Sequence, residues 1–105
     1  MRIIGAPQTR AQRIAVLPGT IPIQTTLAVL PNVDAMIAGE IREWESSEYA
    51  RDLVHRGRRT GLILIGRSLS EDAGMNACAQ WLKTMVSEVP VRWMSAGDPY
   101  WRPTQ

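Results

Sequence analysis

The stretch Gly61-Leu62-Ile63-Leu64-Ile65-Gly66-Arg67-Ser68-Leu69-Ser70-Glu71 constrains the fold of this chain more than any other. Leucines and isoleucines held between two glycines fit a strand buried on both faces, as in a parallel sheet. Ser70, followed by Glu71 and Asp72, reads as a helix N-terminus. A buried strand that hands over directly to a helix belongs to a βαβ arrangement, and in open α/β sheets the ligand crevice lies at that carboxyl edge. Arg67 and Glu71 are therefore the first candidates for a site, with a plain surface ion pair beside a βα loop as the competing reading.

The same alternation repeats along the chain. Arg2 to Gly5 is a brief extended segment, and Arg13-Ile14-Ala15-Val16-Leu17 is a strand closed by Pro18-Gly19. Thr20 caps a helix running to Leu30, with Pro22 in its first turn. Val33 to Ala38 reads as a strand closing on Gly39-Glu40, and Glu43 to Arg56 as a helix stopped by Gly57. The longest helix spans about residues 70 to 86, where Met75, Cys78, Trp81, Leu82, Met85 and Val86 recur at helical spacing and are expected to be core. A last strand, Val89 to Met94, ends at Ser95-Ala96-Gly97-Asp98-Pro99, before an irregular tail through Trp101 and Pro103. The expected fold is α/β: a mostly parallel sheet with helices on its faces, in the order β-β-α-β-α-β-α-β, as a single domain over residues 1–105. In such a sheet Pro18-Gly19-Thr20, Gly39-Glu40, Gly66-Arg67 with Glu71, and Gly97-Asp98 gather along one rim.

Composition narrows the function classes. With 45% hydrophobic and 21% charged residues, the 105-residue chain has the make-up of one ordinary soluble domain. A net charge of +2 with Lys83 as the sole lysine does not point to nucleic acid, and Arg56, Arg58 and Arg59 fall where cations complement a helix C-terminus. His55, the only histidine, belongs to the same helix end. The single Cys78 excludes an internal disulfide and a cysteine-based zinc cage and suits a reducing compartment, so a cytoplasmic location is expected. No apolar run approaches the roughly 20 residues of a membrane helix, and the N-terminus lacks the apolar core of a secretion signal.

Four segments carry a resemblance: Arg13-Ile14-Ala15-Val16-Leu17-Pro18-Gly19; Asn32-Val33-Asp34-Ala35-Met36-Ile37-Ala38-Gly39-Glu40-Ile41-Arg42-Glu43-Trp44; Gly66-Arg67-Ser68-Leu69-Ser70-Glu71-Asp72-Ala73-Gly74-Met75; and Val89-Pro90-Val91-Arg92-Trp93-Met94-Ser95-Ala96-Gly97-Asp98-Pro99. In order and spacing they resemble the C-terminal half of the Nif-three-like dinuclear metal centre proteins, often described as GTP cyclohydrolase type 1 homologues. The resemblance covers nearly the whole chain. It implies an α/β fold, toroidal hexamers and two divalent metal ions in each subunit's cleft. The family's Gly-His-x-x-x-Glu motif supplies two ligands and here reads Gly66-Arg67-Ser68-Leu69-Ser70-Glu71, so Glu71 matches a metal ligand and Arg67 stands in place of the histidine. A guanidinium is always protonated and offers no lone pair, so Arg67 repels a cation where the family binds one. The family's remaining ligands, two histidines and an aspartate, lie in an N-terminal half that this chain does not contain. The divalent metal ions the resemblance implies are accordingly expected to bind weakly or not at all.

Without metals the rim has two readings. Arg67 pairs with Glu71, Glu40 or both, replacing a lost ion, or it joins the helix start after Ser70 in holding a phosphate or carboxylate. Glu40 is a candidate general base, but no partner histidine or strained nucleophilic serine accompanies it. Trp44 lines the same rim or anchors a core or interface, and Asp98 closes the fourth turn of the candidate pocket with Glu40, Trp44 and Arg67. Tyr100 and Trp101 either pack back on the sheet or meet a neighbouring subunit. Two functional classes follow. The first is a Nif-three-like binding or assembly module with a degenerate metal site, acting as a homo-oligomer or with a partner chain carrying the missing half. The alternative is a metal-dependent, cyclohydrolase-like hydrolase component completed by such a partner. Neither membrane nor nucleic-acid binding is expected.

Overall fold

In the computed structural model, which describes residues 1–101, four strands form one sheet in the order β1-β4-β3-β2. β2 (Ile14–Ile21), β3 (Ala35–Ile41) and β4 (Gly61–Leu64) run parallel, whereas β1 (Arg2–Ile4) is antiparallel to β4. The expected α/β class holds, but the sheet is mixed and not mostly parallel. No helix separates β1 from β2, so no crossover returns β1 in the common direction, and it docks on the outer edge of β4 from the opposite sense.

One face of the sheet carries the core. Register sets Met36 beside Leu62 and Ala38 beside Leu64. α1 (Ile23–Val29), a 3-10 turn at Leu30–Asn32, a π-helical turn at Glu43–Ser47 and α2 (Glu48–His55) supply the rest of the layer. Ile21, Leu30, Met36, Ala38, Ile41, Ala50, Leu62 and Leu64 form the buried cluster, with Ile4, Leu17, Val29, Val33, Tyr49 and Leu53 packed around it. Each fully buried leucine in it contributes about 1.5–3 kcal/mol. α2 ends as the sequence foresees: Gly57 has φ +80°, its N–H donates to Val54 O at 2.9 Å, and Arg58 N–H donates to Leu53 O at 3.1 Å, a Schellman closure. Arg58 then donates from Nη2 to Pro31 O at 2.8 Å, clamping this end onto the turn after α1.

Buried polar groups are paired. Thr26 and Ser46, both inaccessible, share a hydroxyl hydrogen bond of 3.0 Å that joins α1 to the π-helical turn. Buried Thr60 directs its hydroxyl at Val33 O (2.9 Å) and Leu30 O (3.2 Å). At the amino edge of the sheet the Asp34 carboxylate accepts the backbone N–H groups of Arg13 (2.8 Å) and Gln12 (2.9 Å), while Asp34 N–H donates to Arg13 O at 2.9 Å. These bonds, Arg13's first, hold the Asp34 carboxyl below the usual carboxylate range.

Five sequence expectations fail. Thr20 does not cap a helix: Thr20 and Ile21 stay in β2, paired with Glu40 and Ile41, and α1 starts one residue after Pro22, which occupies the N-cap. Likewise Gly39 and Glu40 lie inside β3 rather than after it. α3 spans Arg67–Lys83 with Gly66 as its N-cap, so Ser70 lies within the helix. The stripe of Met75, Cys78, Trp81, Leu82, Met85 and Val86 contributes nothing to the core cluster, and Met75, Trp81 and Met85 are all more than half exposed. The strand expected at Val89–Met94 is absent, because the segment makes no ladder with any described strand and Pro90 removes a donor that a ladder would need. The observed order is thus β-β-α-β-α-β-α, ending in irregular chain; positions 102–105 of the tail, including Pro103, lie outside the described residues. No described helix is long and apolar enough to cross a membrane.

Two predictions follow from the buried hydroxyl pair and the amino-edge carboxylate. Thr26→Val or Ser46→Ala alone leaves one buried hydroxyl unpaired and lowers unfolding free energy by about 1–3 kcal/mol, whereas the double variant loses less than the two together, read from urea midpoints. Asp34 has its folded pKa below its unfolded value of about 3.9, so its contribution is complete above that pH and is lost as pH falls through the folded value. Asp34→Ala is therefore expected to destabilise the protein at neutral pH and to flatten its acid loss of stability, measured by denaturation across pH 2–7.

Candidate functional site

The carboxyl edge of β2, β3 and β4 is built around a break in register. Leu17 pairs with Ala38 and Thr20 with Glu40, so Pro18 and Gly19 together face the single residue Gly39. Proline has no amide hydrogen to give the ladder, and the chain bulges there with Gly19 at φ +81°. The bulge turns Gly19 N–H toward α3, where it donates to Ser70 Oγ at 3.0 Å; the hydroxyl in turn donates to Arg67 O at 2.7 Å. On β4, Gly66 N–H donates to Gly39 O at 3.0 Å before α3 begins. Any side chain at Gly39 would collide with Ser70 Oγ and Gly19 O and would sit 2.9 Å from Gly19 N. Gly19, Gly39 and Gly66 therefore do converge, the first two within strands and not in turns after them, and the Ser70 hydroxyl fills the space between them.

Glu71 leans over the same cradle, with Oε1 placed 2.8 Å from where a Gly19 Cβ would stand. Its Oε2 accepts from Arg67 Nε at 3.3 Å, and both side chains remain substantially exposed. This is a solvent-screened i,i+4 pair of the kind that contributes between 0 and about 1 kcal/mol. Of the two partners considered for Arg67, the structure brings it to Glu71 and not to Glu40. Glu40 is exposed beside Gly39 and makes no side-chain ion pair or hydrogen bond among the described residues. Trp44 stands on the π-helical turn, 74% exposed, and anchors nothing within the chain.

The fourth turn arrives by a separate route. Ser95 Oγ donates to Asp72 Oδ1 at 2.8 Å and accepts Gly97 N–H at 3.2 Å, which lays the segment after Val89 along α3. A groove of about 430 Å³ runs between them, lined by Glu71, Asp72, Met75, Cys78, Leu82 and the chain from Val91 to Met94 among others. Asp98 lies just past this contact, accepting the Tyr100 N–H at 3.0 Å. Tyr100 and Trp101 do not pack back on the sheet; both are more than three-quarters exposed. Among the described residues no group of three or more His, Cys, Asp or Glu side chains is placed to hold a metal ion. What sequence reasoning missed is Ser70 as the hub: its position one turn after Gly66 was visible, but its acceptor role depends on a bulge 51 residues away.

Gly39→Ala is expected to destabilise the fold more than Ser70→Ala. The first forces the Gly19 backbone aside at a cost of about 1–3 kcal/mol or more, whereas the second orphans one partly buried N–H at about 1–3 kcal/mol, a ranking that paired urea melts would test.

No family model matches the chain, and no curated protein or solved structure shows significant similarity to it.

Proposed function

We propose that this chain is a binding or assembly module of the Nif-three-like kind whose dinuclear metal centre has lost its chemistry. The observation that carries the reading is the Arg67 guanidinium resting on the Glu71 carboxylate, the group that the family motif would give to a metal. A permanently protonated side chain supplies positive charge at that carboxylate without a lone pair. The donors then left at the rim, Glu71 and Glu40, do not fit a two-metal centre, which needs several nitrogen and oxygen ligands per ion. The Ser70 hydroxyl, bonded on both sides, is spent on holding α3 to the sheet and is not poised as a nucleophile.

The assembly half of the reading draws support from the apolar surface. Trp81, Met85, Met94 and Trp101 are all more than half exposed, an unusual number of large apolar side chains at the surface of so small a chain. The free, half-buried Cys78 supports a reducing compartment, in keeping with a cytoplasmic location.

Bound transition metal, measured by elemental mass spectrometry on protein purified without chelator, is expected well below one ion per chain and is expected to rise in Arg67→His. A parent carrying about one ion per chain would overturn the reading and make Glu71 and Glu40 candidate ligands.

A further inference from the structure

The sheet has a second face, open at its edge strands and partly covered at its centre, where Ile37 and Ile63 are half-buried. Register lines up Ile3, Ile63, Ile37 and Val16 in one row across all four strands, on the side away from α1 and α2. Val16 is 66% and Ile3 59% exposed, and Ile14, two residues along β2 from Val16, is 52% exposed. β-branched rows of this kind are made to be covered. α3 starts on this face, as the collision of a Gly39 side chain with Ser70 requires, yet no residue of α3 joins a core cluster.

Beyond the rim, α3 and the chain folded back along it form an arm. Its apolar side chains Met75, Trp81, Met85, Val89 and Met94 are all more than half exposed. A compact chain of this mass exposes roughly 5,900 Å², whereas this one exposes 8095 Å². Its radius of gyration is 16.9 Å, against about 13 Å for a compact domain of about 100 residues. The excess, roughly 2,200 Å², is larger than the roughly 800 Å² per partner that a standard stable interface buries.

We propose that two copies of this chain exchange arms, α3 and the segment after it from each copy lying across the Ile3, Ile63, Ile37 and Val16 row of the other. The inference rests on the assembly reading above and names its partner. A second copy is favoured because the arm and the uncovered face occur in the same chain, each lacking what the other offers, and because a two-fold exchange closes with neither left exposed. The row contains no charged residue, which suits the outward apolar side chains of the arm and offers nothing to an anionic partner.

Sedimentation or light scattering of the full chain at about 10 μM, where an interface of this size is formed, is expected to give twice 11.7 kDa. Val16→Asp on the face and Trp81→Asp on the arm should each weaken self-association at least about 100-fold, since each sets a charge in an apolar contact. Both positions are exposed in the single chain, so circular dichroism should be unchanged; if either variant unfolds, Ile14→Lys and Met85→Lys replace them. Mixing the two variants decides the geometry. Exchange leaves one undamaged arm-on-face contact in the mixed dimer, so the mixture regains a dimer that neither variant forms alone. A monomeric parent, a dimer indifferent to either substitution, or a mixture that stays monomeric overturns the exchange. Metal content read on the same samples tests the degenerate-site reading separately: a metal-free monomer removes the exchange and the assembly half of the reading but leaves the lost metal chemistry, and a metal-bearing dimer removes only the lost metal chemistry.

Discussion

Pro18 cannot donate to a neighbouring strand, and much of the carboxyl rim follows from that missing hydrogen. The β2–β3 ladder stops at Leu17 and Ala38 and resumes at Thr20 and Glu40. Two residues now oppose one, Gly19 takes a positive φ, and its N–H leaves the ladder for the Ser70 hydroxyl. Gly39, the residue facing the bulge, must then be without a side chain, because the hydroxyl and the Gly19 carbonyl occupy its place. The first turn of α3 is held to the sheet by this contact and by the Gly66 hydrogen bond to Gly39 rather than by apolar packing.

The rim and the core are therefore separate structures that share a sheet. On one face, α1 and α2 bury Leu30, Met36 and Leu62 almost completely, and the hydroxyls within that layer are paired with each other or with carbonyls. On the other face the edge residues Val16 and Ile3 stay open, and α3 keeps Leu69, Met75 and Trp81 exposed while burying Ala79. A rim fixed by backbone geometry tolerates changes in its outward carboxylates and cations, which touch little else. The Arg67 and Glu71 pair is a surface contact whose loss the core would scarcely register.

How much of this was legible from residues alone depends on the range of the interactions involved. The helix ending at Gly57 was readable because its Schellman closure is made by neighbours in sequence. The strand between Gly61 and Gly66 was readable because four apolar residues between glycines leave little choice, but the burial on both faces expected of it is met on one alone, where Leu62 and Leu64 are buried and Ile63 is not. The helix start assigned to Thr20 failed because a parallel pairing with Glu40, 20 residues away, outweighed a local cap. The direction of β1 depended on which sheet edge was vacant, which no local pattern encodes. At the site, the meeting of Gly19, Gly39 and Gly66 was foreseeable from strand ends alone, but Ser70 as the group between them was not. The apolar stripe of α3 misled because the spacing of a few large side chains overstated it: apolar and polar residues are spread around the whole helix, which has no single apolar face to bury.

Every member of the core cluster and of the residues packed around it precedes Ile65. The apolar packing of that cluster thus draws on nothing that follows β4, and α3 is tied on through the Ser70 hydroxyl rather than through the core. Chain order therefore separates the residues that close the core from the helix whose large side chains stay outward, so a change in what α3 meets need not disturb what holds the domain shut.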